Sequence, residues 1–210
     1  MMRIIPKIKK YRGFGLLEVI VALGIIIIGV LAGLSLATQN TFTRNISENR
    51  LVAANLAREP IEMIRRLRDT NWTSTDPNIY WYSGIVTNVG NPPDKKLIVK
   101  SDIDPSGNLI MGFQTVPNAT TIDTCANCGL YYHADSGSFN SSSTNGTVSE
   151  YKRLVTLDWV CLNSSNGTIL TITSNNNCTS TNDFIGWQIT SEVKWSTKSV
   201  KLVDYVYNWR

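Results

Sequence analysis

Phe14 to Ala37 is a run of 24 residues in which Glu18 is the only charged member. As a helix it would be about 36 Å long at 1.5 Å per residue, enough to cross a hydrocarbon core of about 30 Å. It is rich in Ile, Leu and Val, and Gly24, Gly29 and Gly33 interrupt it, as membrane helices tolerate. The run commits the start of the chain to a membrane-spanning helix and leaves the rest to fold as a separate body. It is too long for the core of an ordinary cleaved signal peptide, and the small residues after it continue a helical pattern.

Charge sets the expected orientation. Arg3, Lys7, Lys9, Lys10 and Arg12 place five positive charges, and no negative ones, in the first thirteen residues. The positive-inside rule then keeps the N-terminus in the cytoplasm and exports the chain beyond Ala37. The formal net charge of +4 is thus a property of the leader: from Phe14 on, fifteen basic residues face sixteen acidic ones. That balance gives no broad basic footprint, and no nucleic-acid partner is expected.

Glu18 is the costly residue of the span. A carboxylate there opposes insertion by roughly 2.5–3.5 kcal/mol, which marks it as functional by default. It stands four residues after Phe14, which itself comes directly after Gly13 and the basic leader. The stretch Gly13-Phe14-Gly15-Leu16-Leu17-Glu18 resembles the processing motif of type IV prepilin-like proteins and pseudopilins, with Gly15 where that family more often has Thr. The resemblance implies cleavage between Gly13 and Phe14 and N-methylation of Phe14. A membrane-embedded prepilin peptidase/methyltransferase would carry out both steps as a partner of this chain. It also implies a pairing of Glu18 with a neighbouring subunit's Phe14 amine. Other pilins or pseudopilins, an inner-membrane assembly platform and membrane lipid are implied as further partners.

Beyond Ala37 the apolar residues Phe42, Ile46, Leu51, Leu56, Ile61, Ile64 and Leu67 recur at roughly helical spacing. One long helix from Phe14 to about Asp69 is expected, supported by the i,i+4 pairs Arg58/Glu62, Glu62/Arg66 and Arg65/Asp69. Pro60 removes one backbone donor inside it and is expected to kink it. Strands are expected at Leu97–Lys100, Leu109–Phe113, Tyr151–Leu162, Thr168–Thr173, Trp187–Trp195 and Ser199–Trp209, several of them alternating in polarity. The Ser-, Thr-, Asn- and Gly-rich residues from Thr115 to Glu150 read as surface loops. The closing segment resembles the last strands of minor prepilins, whose headgroups are small antiparallel sheets packed on the helix. The expected fold is therefore α+β, in four parts: a basic leader (1–13), a transmembrane helix (14–37), an exported helical stalk (38–72) and a β-rich headgroup (73–210).

Four cysteines, Cys125, Cys128, Cys161 and Cys178, lie on the side expected to be exported, where an even count favours disulfides. Of the three possible connectivities, Cys161–Cys178 with Cys125–Cys128 is favoured, because the first pair would clip a hairpin around Asn166-Gly167. Cys-x-x-Cys occurs once and without a nearby His partner, so zinc is not expected. Asp102, Asp104, Ser106 and Asn108 alternate like the start of a calcium loop, but Phe113 stands where the bidentate Glu belongs. A turn between two strands explains the same residues. His133, the only histidine, has no nucleophile motif around it and reads as a surface-loop residue. The six tryptophans read as core and sheet-face packing. No cofactor and no catalytic constellation is apparent, so the chain is expected not to be an enzyme. The expected role is a minor pilin or pseudopilin of a type IV pilus or type II secretion-like filament. Two alternatives remain: a competence pilin that holds DNA through Lys152, Arg153, Lys194, Lys198 and Lys201, and a plain single-pass anchored surface protein.

Overall fold

A computed structural model describes residues 15–85, 96–103, 109–116, 119–144, 146–172, 178 and 182–208. Gly13, Phe14, Asp104, Ser106, Asn108 and Trp209 lie outside them. The chain divides into two compact units, residues 1–48 and 49–210. Helix α1, Leu16–Thr73, contributes to both and is assigned without a break through Pro60.

The first unit consists, over its described residues, of the apolar part of α1. Its Leu, Ile and Val side chains from Leu16 to Leu36 are all at least 47% exposed, which leaves this surface to a surrounding that is itself apolar. By length and composition the helix can cross a membrane.

The second unit is α+β. Among the described residues eight strands form one antiparallel sheet: β1 Lys96–Ile103, β2 Leu109–Thr115, β3 Gly129–His133, β4 Ser138–Asn140, β5 Thr147–Asn163, β6 Ile169–Ile172, β7 Asn182–Trp195 and β8 Lys198–Tyr207. The 17-residue β5 organises it. One edge of β5 pairs with β7 from Tyr151↔Trp195 to Asn163↔Asn182, and β7 pairs in turn with β8. The other edge takes three partners in succession: β3 near Val148, β1 at Val155 and Thr156, and β6 from Trp159 to Leu162.

Strand parity then fixes the two faces. Tyr151, Arg153, Val155 and Leu157 of β5 and Trp187, Ile189, Ser191, Val193 and Trp195 of β7 share one face. The helix lays Ala53, Leu56, Ala57, Pro60, Ile61 and Ile64 on it, spaced three and four apart as one apolar stripe requires. Ile98 and Leu154 point the other way, where Ala119, Ile122 and the Cys125–Cys128 loop cover them. Burial on both sides explains why β5 is buried almost continuously from Arg153 to Cys161 instead of alternating.

Three expectations need correction. Residues 115–150 are not loop throughout, because they contain β3 and β4. The strand residues Tyr131, Tyr132 and Phe139 sit among Ser, Asn and Gly, and pairing of β3 with β5 outweighs that local composition. His133 accordingly ends a strand, with Nε2 3.1 Å from the Ser142 carbonyl, and is not a loop residue. Arg65 reaches Asp204 of β8 at 2.6 Å instead of Asp69, which Arg68 takes at 2.8 Å. Charges on the sheet compete with the helix's own i,i+4 partners and win for Arg65.

Candidate functional site

The helix opens on Gly15, whose carbonyl accepts from the amides of Glu18 at 3.0 Å and Val19 at 3.3 Å. Glu18 therefore sits in the first turn, where unsatisfied N–H groups and the helix dipole favour a carboxylate. Its neighbours Leu16, Leu17, Val19 and Ile20 are all exposed and apolar. Among the described residues Glu18 has no ion-pair partner. A carboxylate carried into an apolar surrounding is costly unless it is paired with a cation or protonated.

At the other end, the helix is tied to the sheet by polar contacts as well as by its apolar stripe. Asn71 Nδ2 donates to the carbonyls of Trp81 at 3.1 Å and Ser83 at 2.8 Å, holding the following loop against the last helical turns. That loop delivers Trp81 and Tyr82 to a cluster with Phe184 and Trp187, with Trp81 and Trp187 centred 4.7 Å apart. Trp159 joins through Phe184 at 4.3 Å. Burial, with Tyr80 beside it, holds the Tyr82 phenol above its ordinary pKa. Arg153 is 1% exposed, and its Nη1 donates to the Leu56 carbonyl at 3.1 Å and to Glu59 Oε2 at 2.5 Å. Sequence reasoning did not single out this contact, although the parity of β5 places Arg153 among buried residues and Pro60 predicts an unbonded carbonyl at Leu56.

Cys125 bonds Cys128 and Cys161 bonds Cys178, so no described cysteine is free for metal or redox chemistry. Asp102 belongs to the β1–β2 ladder, opposite Ile110. The β1–β2 pairing runs to Ile103↔Leu109, and Asp104, Ser106 and Asn108 lie outside the described residues. Among the described residues no three His, Cys, Asp or Glu groups gather as a metal ion would need.

The basic cluster of the DNA reading is divided. Arg153 faces the helix and is spent on Glu59, while the adjacent residue on β5, Lys152, points to the opposite face. Lys194 pairs with Asp123 at 2.5 Å and Lys201 with Glu192 at 3.6 Å.

Together these features define a class: an α+β protein whose apolar N-terminal helix suits membrane anchoring and carries one carboxylate in its first turn. Residues 8–34 match the prokaryotic N-terminal methylation motif, which supports a type IV pilin-like protein. No curated protein and no solved structure matches it.

Proposed function

We propose that this chain is a structural subunit, of the minor pilin or pseudopilin kind, of a type IV pilus or type II secretion-like filament, and not an enzyme. The observation that carries the reading is the methylation motif at 8–34 leading into an exposed apolar helix with Glu18 in its first turn. In this reading a prepilin peptidase cuts between Gly13 and Phe14 and methylates the new Phe14 amine. The precursor sits in the cytoplasmic membrane as a single span with its N-terminus in the cytoplasm and its headgroup exported. Glu18 then meets the Phe14 ammonium of a neighbouring subunit, so each costly charge in the apolar bundle is neutralised by assembly.

The test is co-expression of the full chain with and without a prepilin peptidase, read by intact mass and N-terminal sequencing of the membrane fraction. The expected product with the peptidase begins at Phe14, carries one added methyl group and lacks the thirteen-residue leader. An uncut chain in the presence of a peptidase that processes a control prepilin would favour the plain anchored protein.

A further inference from the structure

We propose that Arg153 replaces the main-chain donor that Pro60 lacks, and that this substitution fixes the axial register of the helix on the sheet. In an α-helix the N–H of residue 60 would bond the carbonyl of residue 56. Proline has no N–H, so the Leu56 carbonyl is left without its helical partner. The helix is nevertheless assigned without a break, and Pro60 lies on its buried stripe. The guanidinium of Arg153 comes from the sheet to that carbonyl, Nη1 to O at 3.1 Å, and the same nitrogen bonds Glu59 Oε2 at 2.5 Å. Arg153 is buried at 1% and Glu59 is 31% exposed, so the pair lies at the edge of the helix–sheet contact with its cation inside.

The apolar contacts cannot supply this register alone. Ala53, Leu56, Ala57, Ile61 and Ile64 repeat at helical spacing. A slip of one turn, about 5.4 Å, would still lay small and branched apolar residues on the same sheet face. The vacated carbonyl occurs once on the stripe. Any other register would bury the Arg153 charge with neither the free carbonyl nor Glu59 beside it, and a buried unpaired charge is strongly disfavoured. Arg153 is therefore a positioning residue: the pair Pro60 and Arg153 specifies one placement among several that the apolar stripe permits.

The experiment is a double-mutant cycle on the full chain in detergent micelles: wild type, Arg153→Met, Pro60→Ala and the double variant. Thermal unfolding is followed by near-ultraviolet circular dichroism of the tryptophan cluster. Arg153→Met alone is expected to lower the midpoint by roughly 10 °C. In the Pro60→Ala background, where residue 60 again donates to Leu56, the same change is expected to cost less than half of that. A residue that merely fills buried space, or pairs only with Glu59, would cost the same in both backgrounds, and that outcome overturns the proposal. If Arg153→Met does not fold, Arg153→Lys takes its place in the cycle. A loss that does not shrink with Pro60→Ala is again the overturning result. The cycle requires no filament, so its result is independent of the proposed assembly role.

Discussion

On the proposed assembly role, a carboxylate at position 18 costs the isolated chain energy and benefits only an assembled one. Replacing Glu18 with Ala removes a charge from the apolar segment, so insertion becomes easier by up to a few kcal/mol. Glu18 belongs to the other compact unit, so the fold of residues 49–210 should be unchanged. On the same reading, the neighbour's Phe14 ammonium loses its partner, at several kcal/mol in an apolar surrounding. The expected outcome is normal recovery in the membrane fraction with filament incorporation reduced at least tenfold, measured by shearing and crosslinking. Equal incorporation would remove the charge pair from the mechanism. A second residue tests packing alone. A Cβ on Gly186 would stand 2.2 Å from the Val206 carbonyl oxygen and 2.9 Å from Tyr207 Cα, both backbone atoms of β8. Neither can yield without opening the β7–β8 ladder, so Gly186→Ala should destabilise the protein by about 2 kcal/mol or more. Gly112→Ala, where nothing lies within 4 Å, is the matched control and should lie within about 0.5 kcal/mol of wild type in a denaturant titration.

At the scale of elements, the two disulfides differ in what they close. Cys161–Cys178 spans a sequence separation of 17, from the buried C-terminal part of β5 past the β5–β6 hairpin, while Cys125–Cys128 spans only 3. On the loop-entropy model the longer loop contributes roughly 3 kcal/mol and the shorter one less. Replacing Cys161 and Cys178 together by Ala should therefore lower the denaturant midpoint more than replacing Cys125 and Cys128. The reverse order would show that anchoring the 119–128 loop over Ile98 and Leu154 matters more than the entropy of the longer closure. The same elements show where the sequence was legible. The apolar run, Glu18 and the roughly helical spacing of Leu56, Ile61 and Ile64 lead directly to α1, because a helix's buried stripe is local information. The long strands β5, β7 and β8 were legible for the same reason. β3 and β4 were not, since only long-range pairing with β5 makes Gly129–His133 a strand. The Arg153 contact was hidden because it joins residues 94 and 97 positions apart, and no local pattern reports such a pairing.

For the whole molecule, charge distribution bears on whether the proposed filament subunit handles DNA. Apart from the leader, the chain carries fifteen basic and sixteen acidic residues. In the described part of the helix beyond the span, Arg58, Arg65, Arg66 and Arg68 alternate with Glu59, Glu62 and Asp69, so this segment presents both signs. On the sheet, Arg153 is buried against Glu59, Lys194 is held by Asp123 and Lys201 by Glu192. Of the five cations that could have formed a patch, Lys152 and Lys198 alone are exposed and without an ion pair among the described residues. A binder that neutralises two phosphates should show a log–log salt slope of about −2, against about −5 to −9 for one making six to ten contacts. The expected result for the processed chain in detergent is therefore a dissociation constant weaker than about 10⁻⁴ M for a short duplex at physiological salt, with that shallow slope. Fluorescence anisotropy across roughly 50–200 mM salt measures both quantities. Micromolar binding with a steep slope would mean that the ion pairs on the sheet open to free their lysines for phosphate, and the DNA-holding role would then displace the purely structural one.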